Sequence, residues 1–329
     1  MNQNASRDPI DAMTSGFRAA QVVFTANRLG VFPAIYEGTD SVEDLAEFLG
    51  ASPRGVRILC DALAALGLLE KENQKYRLSP LALEYMLPHS PQSRVAMLLH
   101  GAKLYEKWGK LYDAVKTGAK TPDESIDPRL VGDDGSFARA MGDIGRASAA
   151  QWINMLDLSE ARRMLDVGGG PGFYAIECAR ANPGLHAVVF DSEQTLETAR
   201  MNIEQAGLSD RVTVQPGDAI HDEFGEGYDF ILLSNFIHIF SYERNRGVVQ
   251  KCARALNPGG RLCVKDFILD SDRTSPEWNA LFAVNMLVGT DEGDCYTLEE
   301  VREWMEQAGL AVESVQPMAA YSKMILAVK

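Results

Sequence analysis

The sequence LDVGGGPG at residues 165–172 constrains the fold of this chain more than any other segment. It begins as an apolar strand, with Asp166 at the point where the strand becomes a loop. The loop is rich in residues that allow positive φ and let a ligand approach the main chain: Gly168, Gly169, Gly170 and Gly172. A helix predicted over residues 173–181 would direct its free amide groups at that loop. The segment therefore predicts a strand–turn–helix unit that binds a cofactor.

Two further predicted strands end in residues suited to a nucleoside. The strand at residues 186–190 is followed by Asp191. This residue lies about twenty positions after the glycines, where an acidic side chain binds both ribose hydroxyls. The strand at residues 212–214 leads to Gly217, Asp218 and Ala219. We expect this second segment to meet the adenine edge.

Two more strands complete the pattern. The strand at residues 228–233 is followed by Ser234, Asn235 and His238. The strand predicted at residues 260–268 follows a turn at residues 257–260 and contains Asp266. Because the carboxyl ends of parallel strands share one edge, the sequence predicts an open α/β sheet whose polar strand ends form a single site.

The glycine-rich turn alone does not separate NAD, FAD, nucleotide and S-adenosylmethionine sites, since each uses exposed backbone amides. The turn lacks the GK[ST] ending of a P-loop and the GxGxxG spacing of a dinucleotide fold. In addition, the carboxylate of Asp166 would repel a pyrophosphate and attract the ammonium of a methionyl group. A glycine turn that merely closes a tight corner is the alternative.

The motifs DVGGGPG, VVFD, PGD, YDFILLSNFIH and LNPGGRLCVKDFILD resemble those of class I S-adenosylmethionine-dependent methyltransferases. More narrowly, their order resembles the O-methyltransferase family that includes caffeic acid, hydroxyindole and bacterial natural-product enzymes. The resemblance covers nearly the whole chain. It implies a Rossmann-like methyltransferase sheet with helices on both faces, S-adenosyl-L-methionine as cofactor and S-adenosyl-L-homocysteine as product.

The composition of the chain indicates where the protein is expected to reside and which classes of partner it is expected to avoid. The chain has 329 residues, of which 46% are hydrophobic, and a net charge of −14 that opposes contact with nucleic acid or anionic membrane. The segment MNQNASRDPID lacks a signal-peptide pattern, so we expect a soluble, cytoplasmic protein. The five cysteines show no CxxC spacing, which argues against disulfides and structural zinc.

Residues 1–100 have the pattern of a winged helix. An amphipathic helix is predicted over residues 11–29, a second begins after Ser41 and runs to Leu49, and a third covers residues 52–67. Residues 68–78 predict a hairpin. We expect residues 101–329 to hold linking helices and the catalytic domain.

A winged helix serves either DNA binding or dimerisation. A DNA reader would carry clustered Lys and Arg on its second helix and wing. Here Arg54 and Arg57 are offset by Asp61, and the wing mixes lysine with glutamate. The balance favours dimerisation, and the resemblance implies an intertwined homodimer whose N-terminal domain helps to wall the partner's acceptor pocket.

Between these regions, residues 94–118 predict helix, and residues 119–135 predict a hinge because they are polar and contain two prolines. The following FARAM segment resembles the family segment whose Phe and Met approach cofactor and acceptor, which implies substrate contact for Phe137 and Met141. Ordinary packing between helices explains these two residues equally well.

The chemistry predicted for His238 comes from its position. Methyl transfer to a hydroxyl requires alignment and usually removal of a proton, which suits a base of near-neutral pKa. The resemblance puts His238 at the family's catalytic base and Asp266 at one of the two acids that flank it. The chain departs from the family at Ile239, which replaces an Asp, and at Cys295, which stands where the second acid belongs. Ser234 also replaces a lysine of the plant enzymes, and together these changes weaken the usual phenol deprotonation.

The acceptor site is predicted from one helix. Trp278, Phe282, Met286 and Thr290 would line it if this helix packs over the site as in the family. Few polar groups among them favour a small hydrophobic or aromatic acceptor. The core face of an ordinary helix is the alternative.

Three other functions stay open. Methyl transfer to carbon or sulfur needs less help from a base and therefore fits the depleted site. A cofactor-sensing regulator that binds DNA through the winged helix is a second alternative, and a scaffold that binds cofactor without turnover is a third.

Overall fold

The computed structural model describes residues 8–121, 152–153, 155–318 and 321–329. These residues form two compact units, the first made of residues 8–106 and the second of the remainder. Phe137 and Met141, predicted to approach the ligands, lie outside the described residues, as does most of the predicted hinge. Within the described ranges, no helix is both long enough and apolar enough to cross a membrane.

The first unit is mainly helical. Its elements are α1 (Pro9–Ser15), α2 (Phe17–Leu29), α3 (Val31–Tyr36), α4 (Val42–Phe48), α5 (Pro53–Ala65), β1 (Leu69–Glu72), β2 (Lys75–Leu78), α6 (Pro80–Tyr85) and most of α7 (Val95–Trp108). β1 and β2 pair as the predicted antiparallel hairpin. The side chains of Ser41 and Ser52 cap α4 and α5 by accepting bonds from backbone amides.

Two helices predicted as continuous are each interrupted. The prediction over residues 11–29 was wrong in this respect, because α1 and α2 are separated at Gly16. Likewise residues 94–118 form α7 and then α8 (Leu111–Thr117), with Gly109 in the gap. Glycine is a poor helix former, and hydrophobic periodicity alone does not reveal the breaks.

The second unit contains a seven-stranded sheet. After α8 it consists of β3 (Arg163–Val167), α9 (Phe173–Ala181), β4 (His186–Asp191), α10 (Glu193–Gln205), β5 (Val212–Pro216), β6 (Tyr228–Ser234), a 3₁₀ turn (Ile237–Ile239), α11 (Tyr242–Ala255), β7 (Leu256–Asp266), α12 (Glu277–Gly289), α13 (Leu298–Gln307), β8 (Ala311–Pro317) and β9 (Lys323–Val328). The strand order is β5-β4-β3-β6-β7-β9-β8. The five strands from β5 to β7 are parallel, whereas β9 pairs antiparallel with both of its neighbours.

Helices cover both faces of this sheet. Leu165 and Val167 of β3 belong to a core that includes Val249 of α11 and Trp304 of α13. Met164, on the opposite face of β3, packs in a second core with side chains of α9 and α10. The predicted Rossmann-like sheet with helices on both faces is therefore confirmed.

The start and end of β7 differ from the prediction. Residues 257–260 were predicted as a turn before the strand, but they lie within β7 as an irregularity in its pairing with β6. Gly259 has a φ of 80°, which only glycine adopts readily, so the chain bulges there and pairing resumes at Arg261. β7 then ends at Asp266 rather than Ile268, because Asp266 is the last residue paired with β9.

Candidate functional site

The glycine-rich turn lies at the carboxyl end of β3 and is too crowded for side chains. A β-carbon on Gly168 would lie 2.5 Å from the Phe236 ring, and one on Gly169 would lie 2.8 Å from the Asp166 carboxyl. Gly172, with a φ of 80°, precedes α9 and provides no side-chain cap. The four glycine amides of this turn already donate to acceptors within the chain. The turn therefore offers a ligand close approach to the main chain, because no side chain stands in the way.

Asp191 links the turn to the neighbouring strand. One carboxylate oxygen accepts a hydrogen bond from the Gly170 amide at 2.9 Å, and the other accepts one from the Ser192 amide at 2.7 Å. The side chain is thus fixed beside the turn at the end of β4, where the sequence predicts it.

The loop after β5 is anchored from two sides. The Asp218 carboxylate accepts a bond from the Ile220 amide at 2.8 Å and lies 2.7 Å from Nδ1 of His221, which lowers the Asp218 pKa. The carbonyl of Ala219 accepts a bond from the buried Lys251 ammonium. A β-carbon on Gly217 would lie 2.4 Å from the Phe190 ring. The predicted adenine segment is therefore rigid, and both Asp218 oxygens already have partners within it.

Asp166 is the least satisfied of the predicted residues. Its side chain is buried, and neither carboxyl oxygen makes a well-formed hydrogen bond among the described residues, although the Ala175 amide lies near enough to favour the charged form. Burial raises the pKa of this carboxyl to about 7, the charge of Asp191 adds to the shift and the Ala175 amide opposes it. A buried carboxyl without hydrogen bonds is costly, so Asp166 has the capacity to accept bonds from a donor group.

Further buried polar atoms near this edge also lack partners within the described part of the chain. They are the hydroxyls of Ser234 and Tyr174 and the indole nitrogen of Trp152. The rings of Trp152 and Tyr174 meet edge to face at 5.1 Å. Ser234 was predicted from the sequence, whereas the two aromatic residues were not, because apolar periodicity marks both simply as core.

His238 and Asp266 form a buried pair. Nδ1 of His238 lies 2.7 Å from one Asp266 oxygen, and the other oxygen accepts a bond from the Ile237 amide at 3.0 Å. Burial opposes ionisation of Asp266, but His238 and the Phe267 amide outweigh it and lower the pKa of the carboxyl. An ionised Asp266 requires Nδ1 to carry a proton, so the neutral imidazole has its lone pair on Nε2.

The backbone around His238 is held by two other segments. The Asn245 side-chain amide donates to the carbonyls of Ile237 at 2.7 Å and Phe240 at 3.0 Å. From the other side, the amide of Asp294 donates to the His238 carbonyl at 3.1 Å. A β-carbon on Gly293 would lie only 2.3 Å from that carbonyl oxygen. Asn245 and Gly293 were not predicted from the sequence, since no local pattern marks either as a contact of the histidine backbone.

Thr290, predicted to line the acceptor site, also holds its own loop together. Its hydroxyl donates to the Met286 carbonyl at 2.7 Å and accepts from the Gly293 amide at 2.8 Å. The side chain thus shapes the loop that lies against His238, and its hydroxyl is already engaged there. Met286 is buried one helical turn after Phe282.

The position predicted for a second acid holds a buried thiol. Cys295 is fully buried, and burial together with the charge of Asp266 raises its pKa. The thiol therefore stays neutral at physiological pH, and among the described residues Asp266 is the carboxylate bonded to the His238 ring.

An aromatic wall, made of Phe267, Trp278, Phe282 and Tyr321, extends outward from His238. The Phe282 ring meets the imidazole edge to face at 5.1 Å and contacts Phe267 at 4.5 Å. Trp278 stacks on Phe282 at 5.1 Å and on Tyr321 at 6.1 Å. Trp278 is 42% exposed, so part of the wall faces solvent. Two of these four residues, Trp278 and Phe282, were predicted.

Comparisons with known proteins agree along the whole chain. Residues 129–311 match the model of the O-methyltransferase domain, and residues 12–87 match that of the O-methyltransferase dimerisation domain. The 3-hydroxy-5-methyl-1-naphthoate 3-O-methyltransferase of Streptomyces sahachiroi is 32% identical, with 90% of this chain and 87% of the relative covered. The acetylserotonin O-methyltransferase of Bos taurus is 30% identical, with 90% of each chain covered. The crystal structure of human N-acetylserotonin methyltransferase in complex with SAM superposes with a TM-score of 0.81 at 28% identity, covering 100% of this chain and 99% of that one.

Replacement of Gly293 by alanine is expected to disturb His238, because the added methyl group would collide with the His238 carbonyl. Overpacking of this kind costs about 1–3 kcal/mol in the free energy of unfolding. Urea denaturation measures the loss, and the NMR signals of the imidazole report the displacement. Gly289→Ala is the matched control, since a β-carbon there meets nothing within 4 Å. Equal effects of the two variants would contradict the close packing inferred for Gly293.

Proposed function

The chain belongs to the O-methyltransferase family, and from that membership we propose that it methylates a hydroxyl of a small hydrophobic or aromatic acceptor with His238 as general base. The cofactor of the family, S-adenosyl-L-methionine, supplies when bound a methyl group on a positively charged sulfur. The observation that carries the proposal is the His238–Asp266 pair at the sheet edge that also bears the glycine-rich turn.

The residues at this edge fit that cofactor. Asp191 would bind the ribose hydroxyls, and the segment of Gly217, Asp218 and Ala219 would border the adenine. The glycine-rich turn, where added side chains would collide with neighbours, would border the methionyl portion, and the Asp166 carboxyl would bind its ammonium. The unpartnered, buried Asp166 supports the last assignment, because a cationic ammonium would satisfy it.

His238 would remove the proton of the acceptor hydroxyl. In the neutral imidazole Nε2 holds the lone pair, since Nδ1 faces the ionised Asp266. The acceptor proton would pass to Nε2, and Asp266 would stabilise the resulting imidazolium. The bond between the methyl carbon and the cofactor sulfur would break as the bond to the acceptor oxygen forms, which would leave a neutral thioether. The carboxylate keeps the ring oriented and does not itself accept the proton.

The aromatic wall supports a planar acceptor. Stacked rings separated by about 5 Å favour further flat, apolar surfaces. One relative is named for its action on a naphthoate, a fused aromatic ring system. We therefore infer an aromatic acceptor with a hydroxyl directed at His238.

A carbon or sulfur acceptor is the second candidate. Two replacements favour it. Cys295 puts a neutral thiol where the resemblance implies a second acid, and Ile239 stands where the family carries an Asp. A single carboxylate supports the base less strongly, so an acceptor that ionises readily would suit this site.

The N-terminal unit supports a homodimer rather than a DNA reader. Arg57 and Lys71 both pair with Asp61, and Lys75 pairs with Asp40, so little positive charge is left on this surface. Helix α1 buries none of its residues, and Ile10 and Met13 are 62% and 78% exposed on one helical face. A second copy of the chain would cover such a face.

Replacement of His238 by alanine is expected to lower O-methylation about 10²–10⁴-fold, because a positioned general base contributes that much. Initial rates with a panel of hydroxylated aromatic acceptors, tritium-labelled cofactor and saturating substrate measure the loss. His186→Ala, a change in an exposed histidine of β4, is the control. Nearly full activity of His238→Ala would refute the general base and favour a carbon or sulfur acceptor.

The affinity for S-adenosylhomocysteine is expected to fall as the pH drops below about 7. In the free protein burial raises the pKa of Asp166 to about 7, so below that pH the carboxyl carries a proton that must leave before an ammonium can bind. Below pH 7 the dissociation constant should therefore rise, approaching a tenfold increase for each drop of one pH unit. Above pH 7 it should become constant. Calorimetry from pH 5.5 to 8.5 measures this dependence. Asp166→Asn should bind weakly with no such slope, and an identical slope in that variant would contradict the assignment.

The homodimer is expected to dissociate when a charge is introduced on the α1 face. Met13→Asp would bury a carboxylate in an apolar contact, whereas Met201→Asp changes a methionine of the second unit that is 56% exposed. Light scattering should give twice the chain mass for the wild type and the control, and a mass shifted toward one chain for Met13→Asp. An unshifted mass for Met13→Asp would exclude this face from the interface.

A further inference from the structure

Lys265 is a buried cation that the functions assigned above do not use. It is the penultimate residue of β7, and its exposed fraction is 6%. Its ammonium donates to the side-chain oxygen of Asn235 at 3.1 Å, and no ion pair involves it within the part of the chain that the structure describes. The oxygen of Asn235 is neutral, and the neighbouring Asp266 carboxylate, whose pKa the charge of Lys265 helps to lower, is hydrogen-bonded to His238 instead. The Lys265 ammonium therefore has no directly bonded anion among the described residues.

The sheet register brings Lys265 to the same face as Asp166. Lys265 pairs with Ser234 across β6 and β7. Successive side chains alternate between the two faces of a strand, so Ser234 shares a face with Leu232, and Lys265 shares one with Cys263. Leu232 and Cys263 belong to the same core as Met164, which shares its face with Asp166. The carboxyl, the hydroxyl and the ammonium therefore lie on one side of the sheet at its carboxyl edge.

The aromatic residue on this face adds a further polar group. The Lys265 ammonium lies 6.0 Å from the centre of the Tyr174 ring. The hydroxyl of Tyr174 and that of Ser234 are both buried and lack partners within the described ranges. An anion beside Lys265 could therefore accept bonds from one ammonium and from hydroxyls that otherwise have no acceptor.

The charges have the pattern of a receptor for a zwitterion. Asp166 and Lys265 are buried on one face without being bonded to each other, and each would gain most from a ligand group of opposite sign. An α-amino acid carries an ammonium and a carboxylate on one carbon. The amino-acid end of the cofactor has this chemistry.

We propose that Lys265 binds the carboxylate of the methionyl group, with Ser234 and Tyr174 as additional donors, while Asp166 binds the ammonium. This inference rests on the proposed function, since it concerns the same cofactor. Ser234 stands where the plant enzymes carry a lysine, and Lys265 of β7 would supply a cation beside that position. Lys265 thereby becomes a specificity residue that distinguishes the cofactor from nucleosides without the amino-acid carboxylate.

The test compares two ligands on two proteins by calorimetry. S-adenosylhomocysteine has the carboxylate, and its decarboxylated analogue, S-adenosyl-3-thiopropylamine, retains the ammonium without it. The wild type should bind the first at least about 30-fold more tightly, as expected for a buried charge-assisted contact. Lys265→Met should lose that preference almost entirely and bind the analogue nearly as the wild type does.

Controls separate this role from a structural one. Lys323→Met alters a neighbouring lysine that pairs with Asp270 near the surface, and it should keep the wild-type preference. Lys265→Arg conserves the charge and should keep most of the preference for S-adenosylhomocysteine. An equal loss of affinity for both ligands in Lys265→Met would overturn the proposal, because a structural defect does not discriminate between them.

If Lys265→Met does not fold, the affinities of the wild type for the two ligands still test whether the protein binds the carboxylate. Equal affinity of the wild type for the two ligands would refute a carboxylate contact of any kind. The proposed function fails differently, through the absence of any binding of S-adenosylhomocysteine to the wild type.

Discussion

Burial of both faces of the central parallel strands is the constraint on which the rest of this structure depends. Two apolar cores enclose β3, β6 and β7, so polar groups on these strands can function only at the carboxyl edge. The glycine-rich turn makes that edge accessible, because a β-carbon on Gly168 or Gly169 would collide with its neighbours. The charged groups proposed for the site therefore lie at or just beyond the strand ends, where a bound ligand can contact them.

The same edge of the sheet also bears the His238–Asp266 pair, which a small number of contacts holds in place. Asp266 terminates β7 and uses its two oxygens for different purposes, one for His238 and the other for the Ile237 amide. Asn245 and Asp294 then hold the backbone on either side of the histidine. The imidazole is thus oriented by one carboxylate and by contacts of its backbone. These backbone contacts partly replace the orienting effect of a second carboxylate, which the thiol of Cys295 cannot supply.

The family resemblance stated from five motifs is confirmed by the matching family models and relatives. Short motifs succeeded because each combines an apolar strand with its terminal polar residue, as Asp191 and Asp266 illustrate. The helix breaks at Gly16 and Gly109 were missed, since the apolar periodicity continues across both. Thr290 was predicted to line the acceptor site from the family resemblance, and that resemblance did not reveal the bonds of its hydroxyl within its own loop.

The amino-acid sequence by itself determined the order of strands along the chain, the glycine-rich turn, the acidic strand ends and the position of His238. Those features depend on neighbours in sequence, whose chemistry can be read directly. Only the tertiary structure decided which residues adjoin across strands and loops: Lys265 beside Ser234, Gly293 against the His238 carbonyl, and Phe267 and Tyr321 in the aromatic wall. Register and packing between distant segments produce these contacts, and no local pattern of residues encodes them.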